Sequence, residues 1–462
     1  MRFVTAVLTM IVGISISALD ADDNWPQFRG HRGLGIGSGT PPVTWNVKTG
    51  ENIAWKTPLA GLGLSSPVVW GNRIFLTTAV NSETDKPSLQ TGWLGGTGKS
   101  PDDKGEWTWQ VLCIALDTGQ VLWTRDAHHG KPLLKRHLKA SHANCTAVTD
   151  GQHVVAFFGS EGLYCYDIDG TQLWKREFGK LHSGPYDEKE LEWGFASSPV
   201  IHDGAVVIQC DCLNAHFVAA LDIATGEELG RIDREDEVST WSTPLIIQTD
   251  DGEHLICNGY RQMAGYDLRS GEKRWHLNGG GDIPVPTPLF ADGLVYLTNG
   301  HGKTPIYVIE VDAQGDLTPT SGQPNPDGLA WWAPKDGAYM PTPLVKDGVL
   351  YTCNDNGRLS VRDARNGDVL YRQRVGTGSR TYSASAVAAG GHVYFASERG
   401  EVTVIKEGRT YEKVGGNEMA EVVMATPAIA GDRLLIRTLT QLVCVEQSEI
   451  LPEDGERKPG EI

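Results

Sequence analysis

The chain has 462 residues, with 41 Lys plus Arg against 58 Asp plus Glu and a formal charge of −17. That balance removes nucleic acid as a default partner, because phosphate binding needs clustered basic surface. Hydrophobic residues make up 40% and charged residues 21%, enough to bury a core and to exclude general disorder.

Residues 1–21 read as a secretory signal, with Arg2 as the charged start, an apolar run over 4–16, and small residues over 15–21 suited to cleavage. The run is short of the roughly 20 residues needed to cross a bilayer, so no transmembrane segment is expected. No cysteine precedes Cys113, so no lipid anchor on a new N-terminal Cys is expected either. The expected location is exported, periplasmic or cell-envelope, and soluble.

From residue 65 onward one phrase recurs: a small residue or Pro, two apolar residues, a turn, then an apolar strand. Examples are SSPVVWGNRIFL, SSPVIHDGAVVI, PTPLFADGLVYL and ATPAIAGDRLLI. Its anchors are Pro67, Ala147, Pro199, Pro244, Pro288, Pro343, Ala386 and Pro427, spaced by 80, 52, 45, 44, 55, 43 and 41 residues. Periods near 40 to 45 with several short strands each are the signature of propeller blades. A second phrase, a strand ending in an acid, a Gly turn, and a strand ending in Trp or a substitute, follows as ALDTGQVLW, YDIDGTQLW and YDLRSGEKRW. One blade is therefore four strands. Helical patterning is confined to a single short turn over 133–140.

The last repeat stops at LVCVE without its fourth strand, while residues 51–56 near the N-terminus match a fourth strand with no first half. Pairing the two closes the ring and removes two exposed sheet edges. The expected architecture is an all-β, eight-bladed propeller as one domain over 22–447, followed by a polar tail over 448–462.

The blade phrase, acid-x-x-T-G-x-x-x-W, resembles the repeat of bacterial quinoprotein propellers and of the outer-membrane assembly propeller. WPQFRG at 25–30 and NIAWKTPL at 52–59 are similar to the opening of exported PQQ-like repeat proteins. The resemblance implies the propeller fold, and for quinoproteins a pyrroloquinoline quinone with calcium. Quinoprotein alcohol dehydrogenases cover the quinone with two adjacent disulfide-bonded cysteines; here Cys210 and Cys212 are separated by Asp211.

By the same resemblance, Trp55, Trp123, Trp174 and Trp275 are docking residues between blades. The repeated acids Asp117, Asp167, Asp222, Asp267 and Asp363 suit turn capping, and the cysteines read as small buried residues. Three insertions break the repeat, 79–110, 126–141 and 179–195. In an antiparallel blade such turns fall on one face of the disc, and loops this long usually carry function. The stretch 125–142 holds Arg125, Lys131, Lys135, Arg136 and Lys139 against Asp126 alone, either an anion-attracting rim or an interblade brace. His128, His129, His137 and His142 have no standard zinc spacing, so no metal site is assigned.

Residues just before each anchor should line the axis, and they are small and hydroxyl-rich: Ser66, Ser198, Ser242, Thr287, Thr342 and Ser385. Trp193, Trp241 and Arg380 interrupt this ring, and His142 and Asn144 stand on the neighbouring rim. These five are the candidate ligand-binding residues, an aromatic and cationic lining for a planar anion. The reading is a non-catalytic propeller that binds a protein, polymer or small anionic ligand on its loop-rich face. The alternative is a quinone-dependent dehydrogenase acting on alcohols or sugars.

Overall fold

The computed structural model describes residues 23–448 apart from 86–87, 95–99, 236 and 379–380. The signal reading for 1–21, most of the C-terminal tail, and Arg380 lie outside the described residues.

Eight sheets follow one another along the chain, each a four-stranded antiparallel blade. Blades 1 to 8 begin at Val68–Trp70, Val148–Thr149, Val200–His202, Leu245–Thr249, Leu289–Ala291, Leu344–Lys346, Val387–Ala389 and Ala428–Ala430. These first strands contact those of adjoining blades around the axis. Blade 4 gains an extra two-residue strand, Gly315–Asp316, parallel to its outer strand Lys273–Leu277. Blade 8 takes its outer strand from the start of the chain, Ile53–Pro58 pairing antiparallel with Gln441–Val445. The ring is closed by this exchange, and the aqueous edge that LVCVE would present is covered.

Blade-to-blade packing explains the repeated phrase. The indole N–H of Trp55 donates to Leu116 O at 2.9 Å, that of Trp174 to Ile223 O at 2.7 Å, and that of Trp331 to Ala364 O at 3.0 Å. Each of these rings also lies against the turn glycine of the following blade. A Cβ on Gly119, Gly226 or Gly367 would stand 2.6 to 2.7 Å from the rings of Trp55, Trp174 and Trp331. The acid before the turn holds it open for this contact. Asp222 Oδ1 accepts the backbone N–H groups of Ala224 and Thr225, and Asp267 and Asp363 do the same in their blades. The acid, Gly and Trp of the motif are thus one interblade joint.

All eight cysteines are buried and free. Burial pushes the thiols of Cys113, Cys165, Cys257 and Cys444 up to about 12, so they are inert packing groups.

The segment before Ile53 runs across one face of the disc. Trp25 bridges Val69 of blade 1, Pro26 O accepts from Thr149 N of blade 2, Ile36 bridges Ala388 of blade 7, and Thr40 N–H donates to Asp432 Oδ1 of blade 8. Arg29, fully buried, is bonded to five carbonyls: Gly33, Leu34, Thr342, Pro343 and Ala386. Burial pulls its guanidinium down to about 9, which leaves it charged at neutral pH. WPQFRG is therefore a brace tying the chain start to blades 6 and 7.

One expectation is corrected here. Residues 133–140 form no helix; their polar groups are spent on neighbouring insertions, with His137 N–H donating to Trp193 O and Arg136 gripping Asp103.

Candidate functional site

The axis holds a cavity of about 360 Å³ lined from all around the ring. Its lower tier is the hydroxyl belt. Ser66 N–H donates to Thr146 Oγ1, Thr146 N–H to Ser198 Oγ, and Ser198 N–H to Thr243 Oγ1, at 2.9 to 3.1 Å. Thr287, Thr342 and Ser385 N–H repeat the pattern toward Thr342, Ser385 and Thr426, each at 3.0 Å. The belt thus satisfies blade-start N–H groups that would otherwise be buried without partners. These hydroxyls staple blade to blade.

Extended backbone presents alternate residues to one side, so the residue two before each belt position also faces the cavity. Leu64, Val285, Met340 and Met424 make this tier apolar on one part of the wall, while Asn144, Trp241 and Ser383 make it polar or aromatic on the rest. Phe28, from the segment crossing the opposite face, lines the cavity as well.

The mouth is built by the insertions, whose bounds differ from the sequence reading. Strands Arg73–Asn81 and Trp107–Ala115 pair along their whole length, from Arg73 with Ala115 to Asn81 with Trp107, so the first insertion is shortened to 82–106. It meets the second insertion through Arg136, whose Nε and Nη2 reach Asp103 at 2.7 and 2.9 Å, and through Gln90 N–H to Leu138 O. It meets the third through Ser100 Oγ to Glu192 O. Lys139 then reaches Glu398 of blade 7 at 2.6 Å. Glu398 is fully buried and also accepts from Gly92 N, Thr381 Oγ1 and Ser383 Oγ. With Arg125, whose Nε donates to Gly170 O of blade 2 at 2.7 Å, three of the five basic residues of 125–142 are therefore braces.

Trp193 and Trp241 both line the cavity, with ring centroids 5.7 Å apart at 34°. Trp241 Nε1 donates to Gly194 O at 2.8 Å, and His137 meets Trp193 edge-on. Burial, with Lys139 and Arg136 nearby, pulls the His137 imidazole down to about 4, so it is neutral. Asn144 lines the cavity while its amide bonds Ser141 and Phe195 O. His142 is elsewhere. The Ser141 to Asn144 bonds bend the chain, and His142 packs against Trp107 and Trp109 with Nε2 at 3.0 Å from Asp103. It borders a second, smaller cavity of about 30 Å³ with Glu161 and Glu192.

Sequence reasoning missed the acids. Asp187, Glu188, Asp282 and Asp355 line the cavity, on turns of the same parity as the insertions; that parity was the signal available. Tyr339 stands among them, its phenol pushed up to about 12 by burial and by Asp355 and Asp282. Among the described lining residues Lys139 is the one Lys or Arg, and it is already paired.

The family model described as outer membrane protein assembly factor BamB matches residues 108–318 and 323–453, well over half of the chain. The chain belongs to the PQQ-like β-propeller family. No curated protein matches it significantly. Among solved structures it is similar to quinohemoprotein alcohol dehydrogenase from Comamonas testosteroni, at 12% identity and a TM-score of 0.60, over 95% of this chain and 83% of that one. It is also similar to the computationally designed Ika8 protein, at 14% identity and a TM-score of 0.52, over 84% of this chain and 98% of that one. At such identities the likeness shows the fold alone.

A pyrroloquinoline quinone carries three carboxyl groups, and the described lining does not fit them. Four carboxylates face the space, the lysine is spent on Glu398, and no cysteine lines it. Among the described residues no group of three or more His, Cys, Asp or Glu is arranged to hold a metal ion. No helix of the described residues is long and apolar enough to cross a membrane.

Proposed function

We propose that this PQQ-like propeller is a binding module that receives a segment of a protein or polymer partner in the axial cavity of its loop-rich face. The observation that supports it is the mouth itself. Three insertions, otherwise a cost to the repeat, are fastened to one another and to Glu398 around an aromatic-walled space. The acids on the wall turn the reading away from the small anion. Export to the periplasm or cell envelope belongs to the proposal and rests on the pattern of residues 1–21.

Titration with pyrroloquinoline quinone and calcium tests this against the dehydrogenase alternative, with tryptophan fluorescence and dye reduction by alcohols or sugars as readouts. Neither saturable quenching nor dye reduction is expected. Calcium-dependent quenching accompanied by dye reduction would overturn the proposal in favour of the dehydrogenase.

A further inference from the structure

We propose that the axial cavity selects a cation, the ammonium or guanidinium of a basic side chain on a partner peptide, seated against Trp193, Trp241 and Tyr339 and held by Asp282 and Asp355. The inference rests on the cavity being the ligand site and adds the chemistry of what enters it.

Among the described lining residues the charges do not cancel. Lys139 and Glu398 neutralise each other at 2.6 Å. Asp282 shares one oxygen with His301 at 2.8 Å and keeps the other. Asp187 and Glu188 are exposed at the rim. Tyr339 feels both Asp355 and Asp282, and Tyr186, stacked on Tyr260 at 5.3 Å and bonded to it, feels Asp282 and Asp187. Asp282 and Asp355, both partly buried, and the exposed Asp187 thus line one cavity, and water screens the field of the first two less.

The aromatic surfaces point the same way. Indole faces attract cations, and a desolvated cation between aromatic rings and carboxylates gains from both. Burial holds the Asp355 carboxyl above the ordinary range despite Lys139 nearby, so its ionised form gains from a second cation beside it. A neutral sugar would stack on the same rings and leave that charge uncompensated. An anion would be opposed by it.

The test uses three probes on the full chain at 150 mM salt: acetyl-trilysine amide, acetyl-triglutamate amide and maltotriose, followed by calorimetry and tryptophan fluorescence. Trilysine is expected to bind saturably and the other two not. Asp355→Asn and Trp241→Ala should each weaken it about tenfold, and Asp187→Asn, at an exposed position that leaves folding intact, should weaken it two- to threefold. Trilysine binding that survives all three changes would be general attraction to an anionic surface and would overturn the proposal. Preference for maltotriose or triglutamate, lost in Trp241→Ala, would overturn the cation while leaving the binding module standing. No binding of any probe would bring down both.

Discussion

Lys139 Nζ and Glu398 meet at 2.6 Å across the cavity mouth, joining the connection between blades 1 and 2 to blade 7. The lysine also donates to Gly92 O, and the same carboxylate takes the Gly92 N–H, so the first insertion is clamped at both atoms of one residue. Removing the lysine leaves a buried carboxylate with only neutral donors. Lys139→Met should therefore cost toward the lower end of the roughly 3–5 kcal/mol typical of an orphaned buried charge, and Glu398→Gln in the same background should recover part of it. Urea unfolding of the single and double variants measures this; additive losses would show that the two residues do not act as a pair.

The interblade joints predict a contrast between two glycines of nearly equal backbone conformation. Gly226 has φ +70 with Trp174 atoms 2.6 Å from where a Cβ would stand, whereas Gly204 has φ +74 and open space around it. Gly204→Ala should cost only the left-handed backbone penalty, about 1–2 kcal/mol. Gly226→Ala should cost that and the displacement of the indole, approaching the roughly 3–5 kcal/mol of deleting a buried Trp. Equal melting shifts for the two variants would remove the tryptophan dock from the account of the repeat.

The ring, its blade count and its closure were legible because they rest on period and on residue type. The hydroxyls at Thr342 and Ser385 were visible too, but their task was not, since each accepts an N–H of the preceding blade, from Thr287 and Thr342, and needs the register between sheets. Glu398 lies in a short, ordinary turn, SERG, and nothing local marks it as the anchor of an insertion some three hundred residues away. Trp193 and Trp241 stood out as large residues among small ones. Asp282 and Asp355 did not, because acids in turns are commonplace and only the closed ring brings them to one wall. His142 was misdirected by a bend that alternation cannot foresee.

Stability should depend on pH through Glu161 and Glu192, which border the smaller cavity. Burial raises both carboxyls from an ordinary 4.5 to about 7, against hydrogen bonds from Leu133 N–H and from Ser183 and Gly194 N–H. Between those values the folded chain keeps protons that the unfolded chain has lost, so stability falls as pH rises from about 4.5 to 7 and levels off above. The loss is up to roughly 3 kcal/mol per group. Glu161→Gln keeps an acceptor for Leu133 and removes the titration. It should be more stable than the parent at pH 7.5, with the difference shrinking by pH 5; a gap unchanged with pH would contradict the assignment.

The start of the chain should prove as structural as any blade. Ile53–Pro58 covers the edge of Gln441–Val445, Phe28 lines the cavity, and Arg29 is the common donor to carbonyls of blades 6 and 7. Deleting residues 23–56 therefore exposes a sheet edge, opens the axis and strands those carbonyls together, and the truncated chain should unfold or aggregate as a whole. Arg29→Met separates the effects, since it leaves the closing strand in place. It should cost at least about 3 kcal/mol, because several buried acceptors lose a charged donor at once. Arg29→Lys, which keeps the charge but not the planar fork, should fall between. Urea unfolding with limited proteolysis reads all three. A truncated chain as stable as the parent would refute closure by the N-terminal strand, and an Arg29→Met chain as stable as the parent would refute the brace.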